Sequence, residues 1–314
     1  MATPASTRTA SPVDVILSNY ARGYRNMGMI GHILMPRASV PSRSMRTLEF
    51  GKESFRLLNT RRAPGGKKKR IQYGFSSNPI DLYQEALEAL VPEEIQDEAE
   101  KVANVDLAQK AIDLVMDVED LNLEFEIAQL ARNEDNYNDN NKMAFSAAEK
   151  WKEPTSDPRK DVYDANEALR RATGRYGNTL VLPAAARNAL RDHPKVRDQF
   201  KYVSAKSITD EMLAAYLDVE QVVCGKAVYL PENAGDDQPA QDIWAEDAIL
   251  AYVPRGEGNY MVPSYGYTYE LMGMPEVRVP YWDNTCDSWV YPMKVERRAK
   301  LVGADAGFLF KGVV

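Results

Sequence analysis

Ten residues, RRAPGGKKKR from Arg61 to Arg70, hold six cations around Pro64-Gly65-Gly66. A cluster of this kind can neutralise phosphates or meet an acidic protein surface. It lacks the GxxxxGK[ST] spacing and the preceding buried strand of a phosphate loop. Carboxylate pairs at i,i+4, such as Glu93/Asp97 and Asp113/Asp117, lie in a long polar-faced segment. There they read as solvated charges and not as an acid/base couple. The only histidines, His32 and His193, and the only cysteines, Cys224 and Cys286, come from four distant segments without ligand-pair spacing. No zinc site and no disulfide framework are expected. Neither GxSxG nor HExxH occurs, and with two histidines the commonest general base is nearly absent. No catalytic, cofactor or metal residue is expected, and an enzyme is disfavoured.

Charge is unevenly placed along the 314 residues. Residues 1–75 carry 14 Lys/Arg against three Asp/Glu, and residues 80–140 carry three Lys/Arg against 18 Asp/Glu. Two such segments attract each other, within a chain or between neighbours. The net charge of −7, the pI near 5.2 and the missing recognition helix argue against a sequence-reading nucleic-acid binder. No apolar run reaches the roughly 20 residues of a membrane helix, and MATPASTRTASPVD has no apolar core for a signal peptide. No membrane partner is expected, and synthesis in a cytoplasm is.

The elements that place these groups follow from periodicity. Residues 1–45 read as an arm, with one short amphipathic piece, VDVILSNYARGY, and an apolar run, MGMIGHILMP, that needs a surface to cover it. MRTLEFGKESFRLL and KKKRIQYGF flank the Pro-Gly-Gly turn and alternate with a period of about two, so residues 46–80 read as a β-hairpin with a basic tip. A lone ribbon is marginal in water and must lie on something. From Pro92 to about residue 132, apolar residues recur at three and four (Ile95, Ala99, Val102, Val105, Ile112, Val115, Leu123, Ile127), which predicts one long helix with its acidic side outward. Helix and strand then alternate through NTLVLP, PAAARNALRDHP, ITDEMLAAYLDV, EQVVCGKAVYL and DAILAYVP, as in a compact α/β lobe. The end, PEVRVPYW, SWVYPMKVERRAKLVG and AGFLFKGVV, is read as extended antiparallel strands.

This order, with DANEALRRATGRYGNTLVLPAAARNALRDHPKVRDQFKY, then ITDEMLAAYLDVEQVVCGKAVY, IWAEDAILAYVP and the closing KLVGADAGFLFKGVV, resembles major capsid proteins of tailed bacteriophages with the Hong Kong 97-type fold. The resemblance covers residues 90–314 by sequence and the earlier part by order and character. It implies an α+β chain with an N-arm (1–45), an E-loop (46–80), a P-domain (81–149, with a spine helix of about 92–132, and the terminal strands 271–314) and an α/β A-domain (150–270). It implies a coat protein that self-assembles as homo-hexamers and homo-pentamers into an icosahedral head, made in the host cytoplasm and resident in the virion. A portal, a scaffolding protein, a decoration protein and non-specifically held DNA would be its partners. Many relatives carry a scaffolding segment ahead of the arm; here Met1 leads straight into the arm, which leaves a separate scaffold or none.

On that reading the cations Arg61, Arg62, Lys67, Lys68, Lys69 and Arg70 form a tip that touches a neighbour. Met29, Ile30, Ile33, Leu34, Phe50 and Phe55 supply apolar contact between subunits. Glu93, Glu94, Asp97, Glu98, Asp113 and Asp117 form the acidic face that receives the tip. An encapsulin-type compartment, which shares the fold, is the alternative. A basic-tipped nucleic-acid binder and an enzyme stand further off.

Overall fold

A computed structural model describes residues 13–48, 59–62, 64–65, 67–68, 70, 75–100, 106–202, 207–235, 237–256 and 262–314. Helix α1 (Val15–Gly23) opens on Asp14, whose carboxylate accepts from the amides of Ile16 and Leu17 at 2.9 and 3.0 Å. A single turn, α2 (Gly31–Leu34), leads into β1 (Arg37–Val40). Strands β2 (Ser44–Leu48) and β3 (Phe75–Asp81) pair antiparallel from Ser44↔Asp81 to Leu48↔Phe75, forming a ribbon that shares no ladder with another sheet. Ribbon residues 49–58 and 71–74 lie outside the described residues. At its tip Gly65 takes φ +80°, a left-handed turn position that glycine adopts without strain.

Strand β4 (Tyr83–Pro92) runs into α3 (Glu93–Glu100), and α4 (Leu107–Arg132) follows. The single helix expected over about 92–132 is therefore two. Asp106 is extended (φ −88°, ψ 99°), and its carboxylate accepts from Ala108 N at 3.0 Å and Gln109 N at 3.2 Å. A capping carboxylate offers the first orphan amides a partner, so a new helix starts there.

The α/β lobe follows: β5 (Lys142–Ala144), α5 (Pro158–Thr173), β6 (Thr179–Pro183), α6 (Ala184–Asp192), α7 (Pro194–Phe200), α8 (Asp210–Leu217), β7 (Gln221–Gly225), β8 (Val228–Tyr229), β9 (Gln241–Asp242) and β10 (Ala248–Ala251). The expected strand EQVVCGKAVYL is split into β7 and β8. Gly225 sits at the break because a Cβ there would lie 2.2 Å from the Trp244 ring. The chain closes with β11 (Gly266–Leu271), β12 (Glu276–Val277), β13 (Tyr281–Asp283), β14 (Ser288–Leu301) and β15 (Gly307–Lys311).

Two sheets carry the molecule. One has the order β5-β15-β10-β6-β7; in the other, β1-β11-β14-β12 is extended by β13 and by β4, which matches β14 over ten pairs. The closing segment AGFLFKGVV is thus not a strand of the P-domain set: β15 lies between β5 and β10 in the α/β sheet. Its residues Phe308, Leu309 and Phe310 are apolar on both faces, which suits a strand covered on both sides. Conversely β11, expected within the A-domain span, pairs with β14 and with β1 of the arm.

Helix α4 joins the two sheets. Its first half (Ile112, Val115, Met116) packs with Val277, Met293 and Val295 of the six-stranded sheet and Ala21 of α1. Its second half (Leu123, Ile127, Ala128) packs with Val181, Ile249 and Trp244 beneath the five-stranded sheet. On that sheet's other face Leu169, Leu190, Leu213, Trp151 and Phe310 share a core.

Candidate intersubunit contact site

Arg61, Arg62, Lys67, Lys68 and Arg70 are exposed, and Asn59 Oδ1 accepts from Arg61 N at 3.0 Å. Lys69 lies outside the described residues, as do Phe50 and Phe55. Of the acidic partners expected, Glu93, Glu94 and Glu98 are exposed on α3, which also holds Asp97.

Asp113 and Asp117 are half-buried and already engaged by the chain's own arm. Tyr20 Oη donates to Asp113 at 2.7 Å, and Tyr24 Oη and Asn26 Nδ2 donate to Asp117 at 2.5 and 2.6 Å. Burial, then the Asp117 carboxylate, push the Tyr24 hydroxyl well above its ordinary range. These two carboxylates hold the chain's own arm.

The arm expectation is corrected in the same way. Leu34 is 0% exposed and Ile30 5%, packed with Leu123 and Ile127 of their own chain. A side chain with no accessible surface offers nothing to a neighbour, so these two are core residues; Met29 and Ile33 are half-buried. Glu124, buried on α4, fixes the turn: its Oε2 accepts from Ile30 N at 3.0 Å and Gly31 N at 2.5 Å, and its Oε1 accepts from Trp244 Nε1 at 2.7 Å.

The outward acidic side expected of the long helix is partly inverted. Glu119, Asp120 and Glu124 are buried, while Leu114 and Val118 are 62% and 40% exposed. Arg297, 3% exposed on β14, holds Glu119 Oε2 at 3.0 Å, Glu85 Oε2 of β4 at 3.2 Å and Asp120 Oδ1 at 3.6 Å. Arg37 of β1 reaches Asp120 at 2.9 Å and Glu270 of β11 at 3.9 Å. Burial, then contact with Glu85, push the Glu119 carboxyl up to about 7 against the pull of Arg297. Burial likewise raises Glu124, Glu126 and Glu270.

Two signals could have found this cluster. Glu119 and Asp120 fall three or four residues beyond Val115 and Met116, on the apolar stripe. Arg297 lies between Val295 and Ala299 on the inward face of a strand with period two. On the outer face of β14, buried Glu296 accepts from Arg43 Nε at the ribbon root at 2.5 Å.

The remaining chemistry-bearing side chains are dispersed. His193 Nε2 lies 3.1 Å from Glu153 O and 3.3 Å from Ser156 Oγ. Cys224 is half-buried and Cys286 exposed. Among the described residues no group of three His, Cys, Asp or Glu is placed to hold a metal, and no helix is long and apolar enough to cross a membrane.

An arm, a two-stranded ribbon, a long helix on an antiparallel sheet and an α/β lobe make up the Hong Kong 97-type fold. The capsid of cyanophage P-SCSP1u shares that fold with a TM-score of 0.56 at 11% identity, over 92% of this chain and 89% of that one. The chain belongs to the phage major capsid protein E family, whose model matches residues 129–313. It is 33% identical to the major capsid protein of Burkholderia phage BcepMu over 96% of both chains. A phage-related protein from Bordetella bronchiseptica RB50 matches with a TM-score of 0.83 and 39% identity, over 97% of this chain and 98% of that one. The chain is thus a phage major capsid protein, a structural protein and not an enzyme, which assembles with copies of itself into the shell of the virion. Membership of a phage capsid family, more than the fold, selects this over the encapsulin alternative.

Proposed function

We propose that the shell closes through the ribbon: the cations Arg61, Arg62, Lys67, Lys68, Lys69 and Arg70 of one subunit lie against Glu93, Glu94, Asp97 and Glu98 on α3 of a neighbour. The observation that carries this is the separate ladder of the ribbon and its charged end. Strands β2 and β3 pair only with each other, and exposed charge of one sign at their tip matches exposed charge of the other sign on α3. A two-stranded ribbon is marginal alone and gains from a second surface. Phe50 and Phe55, with the half-buried Met29 and Ile33, add apolar contact.

Each exposed ion pair contributes about 0–1 kcal/mol. Repetition around a shell makes the sum large while single contacts stay weak enough to let misplaced subunits leave. In this reading residues 1–45 are the N-arm, 46–80 the E-loop, 81–149 and 271–314 the P-domain and 150–270 the A-domain, with β15 counted to the A-domain by its sheet. Hexamers and pentamers of the chain make the lattice; a portal, a scaffolding protein and a decoration protein complete the head, and the packaged DNA touches it non-specifically. The subunit is made in the host cytoplasm.

The test is charge reversal of Lys67→Glu, Lys68→Glu and Arg70→Glu together. The variant is expected to keep its circular dichroism and thermal midpoint and to lose shell formation. Shells at wild-type yield in about 0.15 M salt, where exposed charges are screened beyond about 8 Å, would overturn the tip's role.

A further inference from the structure

Strand β4 leaves a ten-residue sheet edge open. It matches β14 over all ten of its residues without a register shift, and among the described residues no other strand pairs with it. In an antiparallel pair only alternate residues turn their N–H and C=O to the partner, so every second residue of β4 turns them outward. The side chains agree with an open edge. Gln84, Ala86 and Glu88 are exposed, and so are Tyr83, Leu87 and Leu90, at 51%, 37% and 57%.

Natural sheets blunt their edges against unwanted strand addition with short strands, lysines, prolines and bulges. The other edge strands of the two main sheets are short: β1 has four residues, β12 two, β13 three, β5 three and β7 five. Strand β4 is long, carries no Lys or Arg, has no proline before its last residue, Pro92, and keeps a regular ladder. None of the protective devices is present in it, which marks an edge meant to be covered. Its charge says by what. From Tyr83 to Glu100 the chain holds seven Asp/Glu and no cation, and β4 passes into α3 at Glu93 without a break.

We propose that the free edge of β4 receives the ribbon of a neighbouring copy, which extends the six-stranded sheet across the subunit boundary. The ribbon has the matching chemistry. Between Ser44 and Asp81 the chain carries nine Lys/Arg against three Asp/Glu, and β2 and β3 pair with each other alone. A two-stranded ribbon keeps two outer edges unpaired, ready for a further strand. Main-chain hydrogen bonds along about 33 Å of edge then hold the contact, and exposed Glu88 meets the ribbon's positive charge. The inference rests on the reading that the ribbon docks on a neighbour, and it makes the tip contact the far end of a longer one: β4 is the track that delivers the tip to α3.

The test compares wild-type shells with the dissociated full-length subunit by amide hydrogen exchange at one pH. In the subunit every second amide of β4 is expected to exchange freely, and in shells the same amides are expected to gain about tenfold or more in protection. The occupant is read by a photo-crosslinking side chain, Leu90→p-benzoylphenylalanine, whose adduct in shells is expected to fall within residues 44–81 of another copy. Where that variant does not assemble, the same probe at exposed Gln84 reads the occupant. Amides of β4 that exchange alike in shell and subunit, or an adduct to any other segment, overturn the proposal. The tip reading fails separately. If the tip charge-reversal variant forms shells at wild-type yield while β4 is protected and crosslinked to the ribbon, the tip contact is wrong and the edge contact stands. If that variant loses shells while wild-type β4 stays unprotected, the edge contact is wrong and the tip contact stands.

Discussion

At the residue scale, the carboxylates of α4 divide by environment and not by type. Asp113 and Asp117 at half-buried positions accept from the tyrosines of the arm, Glu124 caps an amide pair, and Glu119 and Asp120 share guanidinium groups. Their acidity was legible in the sequence and their burial was not. A helix rich in Asp and Glu reads as wet unless the inward-facing cations, Arg37 and Arg297, are placed opposite, and those come from strands about 80 and 180 residues away in the chain.

The consequence for pH has a definite sign. Carboxyls raised by burial bind protons in the folded state that the unfolded chain has released, so stability falls as pH rises from the ordinary carboxylate range towards 7. Burial lowers His193 and His32, so the unfolded chain binds their protons first and stability also falls below about pH 6.5. Burial alone would raise Glu296, but Arg43 and Lys294 outweigh it and hold it low, which adds loss at more acid pH. Thermal unfolding of the subunit should therefore show its maximum between about pH 5 and 6.5, with a loss of at least about 1 kcal/mol by about pH 8. A midpoint still rising at about pH 8 would contradict the assigned burial.

At the element scale, the sequence spoke clearly where periodicity was strong. The stripe of α4 and the strands NTLVLP and DAILAYVP stand as elements, while most of the ribbon's alternating runs lie outside the described residues. The division of the long helix at Asp106 escaped because the apolar repeat runs on through Val102 and Val105, and only an Asp ahead of LAQK hinted at a cap. The arm is the instructive case. That MGMIGHILMP needs a covering surface followed from its composition, but nothing local says whose surface. The structure lays Ile30, Leu34 and Met35 on the second half of α4 of the same chain. Leu34→Ala should therefore destabilise the dissociated subunit by about 2–5 kcal/mol, the cost of a buried leucine truncation, at every protein concentration. A variant whose subunit unfolds like wild type, with a defect seen only in the shell, would mean that the arm's true seat is a neighbour.

At the scale of the whole molecule, sequence order and spatial order part company. The last strand enters the α/β sheet beside β10, the arm's β1 extends the other sheet, and α4 is shared by both cores. Such long-range pairings depend on which edges remain open after the local elements form, and that information is spread over the full chain. They also make the subunit one tied body, in which the ribbon, like the short β8-β9 pair, keeps a ladder of its own. The account's central claim is that this body tiles with its own copies. Electron microscopy of the purified full chain, raised to shell-forming concentration with its phage partner proteins, tests it most directly. Closed icosahedral particles built from this chain are the expected result, and a population that stays monomeric under every such condition would contradict the account.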